Sequence, residues 1–567
     1  MSDQVRGILF VLLAMGILFA WQHYFKPPVT PPETRPVAPA QTTQQGQSQA
    51  ATAGGAQGGA KAGPKGGAPA STPAIEASAE KSVVVESSLY RVELSNRGGV
   101  ARSWKLKKYF DDQKPPQELD LVNGEAALQL GWPMSLLLSD PQLEAQANQA
   151  LYQISPSEDH FQAPATVTLH WSDGRLDVTK KLTFDDGYEV RIETSVLLNG
   201  MPMAGSAMAW RGGFGDKSVY NARLLVNVFY KLNGKLELLQ LKKLGVANNQ
   251  MQPVSLPGPL EFTGLEDQFF TAAFLPDGAD LSLWHWTQWT HSYAADKPVS
   301  EQYAEMAAGS TQPQTLRMRA YVGPKDLTLL GKERPPLDEL VQFGWTGIIA
   351  KPLFEFLKWL HKYIPNYGWA IVILTLLING LMFPLKMKSW RSMQKMQKVG
   401  PEIRQIQDRY KKYSMTDPRK KKMNEEIMAI YSREGINPMG SCLPMVFQMP
   451  IWWALWRVLN GAIELRHAPW IGWIHDLSAM DPYYILPILM TITMYLMTKM
   501  TPQTTVDPSQ QRMMSLMPIF MGFIFFKLSS GLNLYMFTSN LVGMGQQYYL
   551  NRTDPLPSRS KFKKKTE

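Results

Sequence analysis

The chain has 567 residues, 45% of them hydrophobic, a net charge of +10 and a single cysteine, Cys442. That length exceeds what one hydrophobic core organises, and a lone cysteine excludes an intramolecular disulfide, so every folded part is held by packing alone. No GxxxxGK(S/T), HExxH or CxxC stretch occurs, which leaves nothing to mark an ATPase, a zinc protease or a thiol redox enzyme.

The apolar residues are concentrated near the N-terminus and after Gly344, in runs close to the ~20 residues that cross a bilayer core. The first run, GILFVLLAMGILFAWQHY at 7–24, follows a short head containing Arg6. It reads as a signal peptide or an anchor. With no small-x-small cleavage pattern before Lys26, an uncleaved anchor over 1–25 is expected, its N-terminus cytoplasmic. Residues 26–74 are rich in Pro, Gln, Gly, Ala and Ser and poor in large apolar side chains. Such a segment cannot bury enough surface to fold and reads as a disordered tether, on the far side of the membrane from the N-terminus.

From 75 to 335 the period changes to two. In YEVRIETSV, Tyr188, Val190 and Ile192 alternate with Glu189, Arg191 and Glu193 directly after the turn pair Asp186 and Gly187. That pattern predicts half-buried antiparallel strands, and ATVTLHWS, LDVTKKLTF and LSLWHWTQW extend it into a large β-sandwich. Trp284, Trp286 and Trp289 at spacing two fit a core, or alternatively a stacking surface for a sugar. His160, His170, His285 and His291 have no ligand spacing.

Residues 336–366 contain TGIIAKPLFEFLKWLHKYI, whose apolar side chains share one helical face, predicting a helix lying in the membrane interface. Five further spans are expected at 367–385, 442–463, 482–499, 513–528 and 532–550. With the anchor, this makes a bundle of six transmembrane helices and places both termini in the cytoplasm. Charge agrees: residues 386–435 carry a net +8 and the tail 551–567 a net +4, both cytoplasmic by the positive-inside rule. The segment 386–437 has helix formers on either side of Asp417-Pro418 and ends at Gly435 and Pro438, which predicts a helical hairpin. Its methionines, Met387, Met393, Met396, Met423 and Met428, fit either a contact face for partners or the hairpin's own interior.

Polar residues within the spans need partners or water. Thr375 and Asn379 are i and i+4 on one helix face. Asn533, Asn540 and Gln547 repeat every seven residues on the last span, and Gln448 adds an amide on the third. Each fits interhelical hydrogen bonding, while three such helices together suggest a wet cavity.

The stretches PMGSCLPMVFQMPIWWALW, ELRHAPWIGWIHDLSAMDPYYILPILM, DPSQQRMMSLMPIF and SSGLNLYMFTSNLVGMGQQ, with SNRGGVARSWKLKKY at 95–109, closely resemble the YidC-type membrane protein insertases of Gram-negative bacteria (the Oxa/Alb/YidC family). The resemblance implies a multi-domain inner-membrane protein: a five-helix insertase core over 367–550 and a large periplasmic β-sandwich. It implies no nucleotide, cofactor or catalytic residue. The core would enclose a polar groove open to cytoplasm and lipid, lined here by Thr375, Asn379, Gln448, Asn533, Met536 and Asn540. Met449, Pro450, Pro518 and Ile519 would form the path along which a substrate's apolar helix slides into lipid. Implied partners are nascent inner-membrane proteins and the Sec translocon, with ribosome contact through the basic hairpin and tail.

The resemblance also implies a basic residue, most often Arg, five positions before the proline that precedes the hairpin. Counting back from Pro384 gives Asn379, which can hydrogen-bond but carries no charge. Arg457 is a candidate for a displaced groove charge, or else an anchor on the outer side or a partner of Glu464. Asn379→Arg is therefore expected to be tolerated and to favour acidic substrate tails, and Asn379→Leu to impair insertion. Competing readings are a small-solute transporter or channel and a tethered periplasmic carbohydrate-binding protein.

Overall fold

The structure, a computed structural model, describes residues 73–553 apart from 219–224, 245–252, 279, 295–296, 414–416, 437–442 and 502–507. The anchor, nearly all of the tether, Cys442 and all but the first three residues of the basic tail lie outside the described residues. The chain divides into two units, one containing residues 371–448 and 480–553, the other residues up to 370 together with 449–479.

The second unit is built on strands that pair antiparallel, except that Ser82–Glu86 runs parallel to His160–Gln162. Its largest sheet runs from Lys235–Gln240 through Asn227–Leu232, Phe262–Glu266, Phe270–Pro276, Leu316–Pro324, Glu189–Leu198, Leu176–Phe184 and Ala165–Ser172 to Gln153–Ser155, and Met201–Pro202 pairs with Glu189–Leu198. Two five-stranded sheets accompany it. The period of two is kept: Val190 and Ile192 are fully buried while Arg191 between them is exposed. Trp104, Phe184 and Trp210, one from each sheet, meet at ring-centroid distances of 6.2–6.3 Å, joining the layers of a β-sandwich.

Trp286 is buried against Ala207, Ala209 and Ala307, and Trp284 packs on the same cluster, whereas Trp289 is exposed. Two of the three tryptophans are thus core. The glycine pair of SNRGGVARSW also has a structural reason: Gly98 has φ +73°, and a Cβ there would lie 2.4 Å from the Asn148 carbonyl oxygen. The bent backbone directs the Gly98 and Gly99 carbonyls, with that of Met134, onto the ammonium of the buried Lys180 at 2.8–2.9 Å.

Short helices α1 (Gly124–Leu130), α2 (Pro141–Gln149) and α3 (Leu327–Leu330) decorate the sheets. They are followed by α4 (Gly347–Tyr363), which buries Ala350, Phe354, Leu357 and Leu360 along one face as its periodicity predicts. Residues 462–479 belong to the same unit. Arg466 forms a buried ion pair with Asp216 and donates to the Phe110 carbonyl at 2.6 Å, and His467 Nε2 lies 2.7 Å from Asp112.

The other unit is helical. Helix α5 (Tyr367–Arg409) runs unbroken through Pro384 and Pro401, where the sequence suggested a span ending at 385. It is the one helix among the described residues long and apolar enough to cross a membrane, and Ile485–Met500 and Ser515–Phe525 are shorter apolar helices. Helix α6 (Arg419–Arg433) follows the Asp417-Pro418 break and ends at Gly435 with φ +59°. There the Ile436 and Gly435 amides donate to the Tyr431 and Ser432 carbonyls, closing the helix while Ile436 enters the hairpin interior. Met396 is buried in that interior with Val399, Ile403, Ile406 and Ile430, and Met393 and Met423 pack on it. These methionines hold the hairpin together, while Met428 is exposed.

Helices α8 (Ile485–Met500), α9 (Pro508–Phe525) and α10 (Ser530–Thr553) complete this unit, and α7 (Leu443–Gly461) belongs to it up to Gln448 and to the β-rich unit from Met449 on. The start of α8 is prepared by the buried Asp481, whose carboxylate accepts from the Tyr483 and Leu486 amides.

Candidate functional site

Thr375 and Asn379 lie on the buried face of α5, 0% and 1% exposed. Thr375 returns its hydroxyl to the Ile371 carbonyl at 2.6 Å, a local bond that satisfies it within its own helix. Asn379 is the centre of a wider network. Its Nδ2 donates to the Thr375 carbonyl at 2.9 Å and to Ser539 Oγ at 3.2 Å, and its backbone carbonyl accepts from Gln546 Nε2 at 3.0 Å. Its side-chain oxygen accepts from Lys386 Nζ at 2.8 Å, and Lys386 donates again to Gln546 Oε1 at 3.0 Å.

Lys386 carries the charge that position 379 lacks. Seven residues separate the two, about 20° short of two full turns, and helical side chains slope toward the N-terminus, so the ammonium reaches back along α5 to the amide. Two of its three donors go to amide oxygens, and no carboxylate pairs with it among the described residues. The arrangement is a cation fixed by neutral groups, with one donor left for a further acceptor. Sequence reading placed Lys386 at the start of the cytoplasmic hairpin. The seven-residue spacing from Asn379 was the signal that would have found it.

Helix α10 carries two polar stripes about 120° apart at 100° per residue. The stripe facing the Asn379 cluster is Tyr535, Ser539 and Gln546, with the Tyr535 hydroxyl accepting from Gln448 Nε2 at 3.2 Å. Asn533, Asn540 and Gln547 form the other. Asn533 is fully buried and donates to the Phe525 and Leu528 carbonyls at 3.2 Å, covering the end of α9. Asn540 donates to the Met490 carbonyl and to Thr493 Oγ1 on α8 at 3.3 Å. Gln547 bonds Asn551, which reaches the Met500 carbonyl. The structure therefore joins Asn379 to Ser539 and Gln546, and Gln448 to Tyr535. Asn533 and Asn540 bond helix ends and neighbours instead, and Met536 is half-buried.

Exposed apolar side chains occur on α5, α7, α8 and α9. On α7, Met445, Val446, Phe447 and Met449 are exposed and Pro450 is half-buried. On α9, Leu516, Met517, Ile519, Phe520, Phe523 and Ile524 are exposed, whereas Pro518 is buried. Arg457 is exposed, with its guanidinium 3.4 Å from the Gln342 carbonyl and 5.4 Å over the ring of Trp456. It makes no ion pair with Glu464 among the described residues.

Residues 82–356 match the family profile described as the YidC periplasmic domain, and residues 359–557 match that of the 60Kd inner membrane protein. The chain is 33% identical over 487 residues to the membrane protein insertase YidC of Wolinella succinogenes, covering 84% of this chain and 83% of that one. With the membrane protein insertase YidC of Geobacter sp. strain M21 it shares 34% over 487 residues, 83% of this chain and 86% of that one. A crystal structure of an active YidC insertase with its first transmembrane domain resolved aligns to 85% of this chain and 95% of its own, at 18% identity and a TM-score of 0.34. On the extent and identity of the two relatives, this chain belongs to the YidC family of membrane protein insertases.

Proposed function

We propose that this protein inserts and helps fold inner-membrane proteins, alone on small substrates and beside the Sec translocon on larger ones. The observation that carries the mechanism is the ammonium of Lys386 held between the side-chain oxygens of Asn379 and Gln546. A substrate's polar segment enters a groove bounded by Asn379, Ser539, Gln546, Tyr535 and Gln448, while its apolar helix passes along Met449 and Pro450 of α7 and along Ile519 of α9, where Pro518 is buried and shapes the helix from within. A polar site part-way into the membrane shortens the low-dielectric distance that segment crosses, so the penalty falls without nucleotide. Partition of the apolar helix into lipid, and the membrane potential acting on charged tails, then complete transfer. Lys386, rather than Arg457, supplies the attraction for acidic segments.

The arrangement in the membrane belongs to the same reading: six crossings including the anchor 1–25, both termini cytoplasmic, the β-sandwich of 75–335 in the periplasm, and α4 at the interface. The basic hairpin and tail would face the ribosome.

Site-directed photo-crosslinking during synthesis of a small membrane protein tests this. Probes at Gln448, Met449 and Ile519 should capture the nascent chain, and a probe at Leu128, exposed on the β unit, should not. Failure of all three groove and slide probes to capture substrate would overturn the mechanism.

A further inference from the structure

The β unit contains a cavity of about 210 Å³ whose border combines Val100, Gly131 and Trp132 with Arg97, Arg102, Ser135, Asn148 and Arg211. Three arginines line it, and two carboxylates pair with them directly. Glu80 takes Arg97 at 2.7 Å and Arg102 at 3.4 Å, and Glu144 takes Arg211 at 2.7 Å. The Arg97 hydrogen bond, with the charges of Arg97 and Arg102, holds the Glu80 carboxyl below its ordinary range. Glu80 thus remains an anion shared by two cations, and the direct pairs leave one positive charge uncompensated.

The donors are as informative as the charge. Ser135 is 4% exposed and its hydroxyl has no hydrogen-bond partner among the described residues. Arg211 is fixed by Glu144, by the Leu136 carbonyl and by stacking 5.5 Å over Trp286, yet its Nε is also buried without a partner. Native interiors rarely leave such donors unmet, and each needs an acceptor. Arg102 lies 4.3 Å over the ring of Trp132, giving the cavity one flat wall.

We propose that this cavity is a binding site for a carboxylate. A carboxylate offers only acceptors, matches a guanidinium in a planar fork, and has lone pairs to spare for a serine hydroxyl. Its single charge balances the excess, whereas a phosphate monoester at roughly −1.5 to −2 would exceed it. The volume lies below the ~300–1,000 Å³ of sites for drug-sized ligands. It suits a small free acid or one acidic group of an extended peptide, and the two sources share the same chemistry.

Calorimetric titration of the full chain in detergent at low ionic strength tests the proposal with two probes. One is N-acetyl-alanine with its neutral amide as control, and the other a nonapeptide with a central Asp and blocked ends, with its Asn counterpart. At least one acid should bind and its neutral control should not. Ser135→Ala should weaken binding about fivefold and Arg211→Gln at least tenfold. Arg97→Gln, at a half-exposed side chain, should also weaken it severalfold, with an unchanged melting curve as the check that the fold is kept. Binding of N-acetyl-alanine identifies a free acid as the ligand, and binding of the peptide alone identifies an acidic side chain. Absence of binding by both acids, equal binding of the neutral controls, or affinity unchanged by both Ser135→Ala and Arg97→Gln would overturn the proposal.

Discussion

On the function proposed above, Asn379 and Lys386 would divide between two side chains what one basic residue is expected to supply in the pattern the sequence resembles, and that division alters what substitution should do. An arginine at 379 would meet the Lys386 ammonium, which now lies 2.8 Å from the asparagine oxygen, so Asn379→Arg alone should impair insertion, contrary to expectation from sequence. Asn379→Arg combined with Lys386→Gln should restore it, as scored by protease protection of an inserted substrate. Lys386→Met should reduce insertion of substrates with acidic translocated segments about tenfold, because a hydrogen bond to a charged group contributes roughly 1.5–3 kcal/mol, while Lys386→Arg should retain most activity. Substrates with neutral segments should respond less in the same assay. In the β unit, Glu305 accepts from the Gly212 amide and from Trp286 Nε1, yet burial pushes its carboxyl up to about 7 from an ordinary 4.5. Between those values the unfolded chain has released the proton and the folded chain keeps it, so stability falls as pH rises through the window and levels off above it. Glu305→Gln should flatten that slope in melting curves taken from pH 4.5 to 8.

The elements themselves were largely legible because their periods are local. Alternation in YEVRIETSV, the apolar face of α4 and the Asp417-Pro418 break each act over a few residues. What could not be read depended on partners. A seven-residue repeat on α10 exists twice, as Asn533, Asn540 and Gln547 and again through Ser539 and Gln546, and composition does not say which stripe meets α5. The span was expected to end at 385 and the hairpin to begin at 386, yet α5 runs through Pro384, although proline lacks the amide that a helix interior uses, and so carries Lys386 on the same face as Asn379. The contact between Arg466 and Asp216 spans 250 positions, beyond any local pattern. It is also the contact whose loss should be most costly in this loop. Arg466→Met leaves Asp216 buried and unpaired, at an expected cost of ~3–5 kcal/mol, while the double variant Arg466→Met with Asp216→Leu should recover most of it. Denaturant unfolding of the full chain, with proteolysis at residues 462–479 as a local readout, distinguishes the two.

At the scale of the whole molecule, a chain of average overall hydrophobicity proves to be a β unit without disulfides and a helical unit that combines a basic hairpin with helices whose exposed side chains are largely apolar. Lipid is the solvent that such a surface requires, with Leu381 at 82% and Phe523 at 68% exposure. Depleting the protein should leave a defined subset of inner-membrane proteins uninserted, and quantitative proteomics of the membrane fraction reads that subset directly. Helix α5 adds a mechanical property. Its 43 residues make a rod about 65 Å long, and Lys386 sits near the midpoint. One helix thus carries both the first arm of the hairpin and that ammonium, so whatever grips the hairpin has a covalent handle on Lys386, and Pro384, two residues before it, is where the rod would bend.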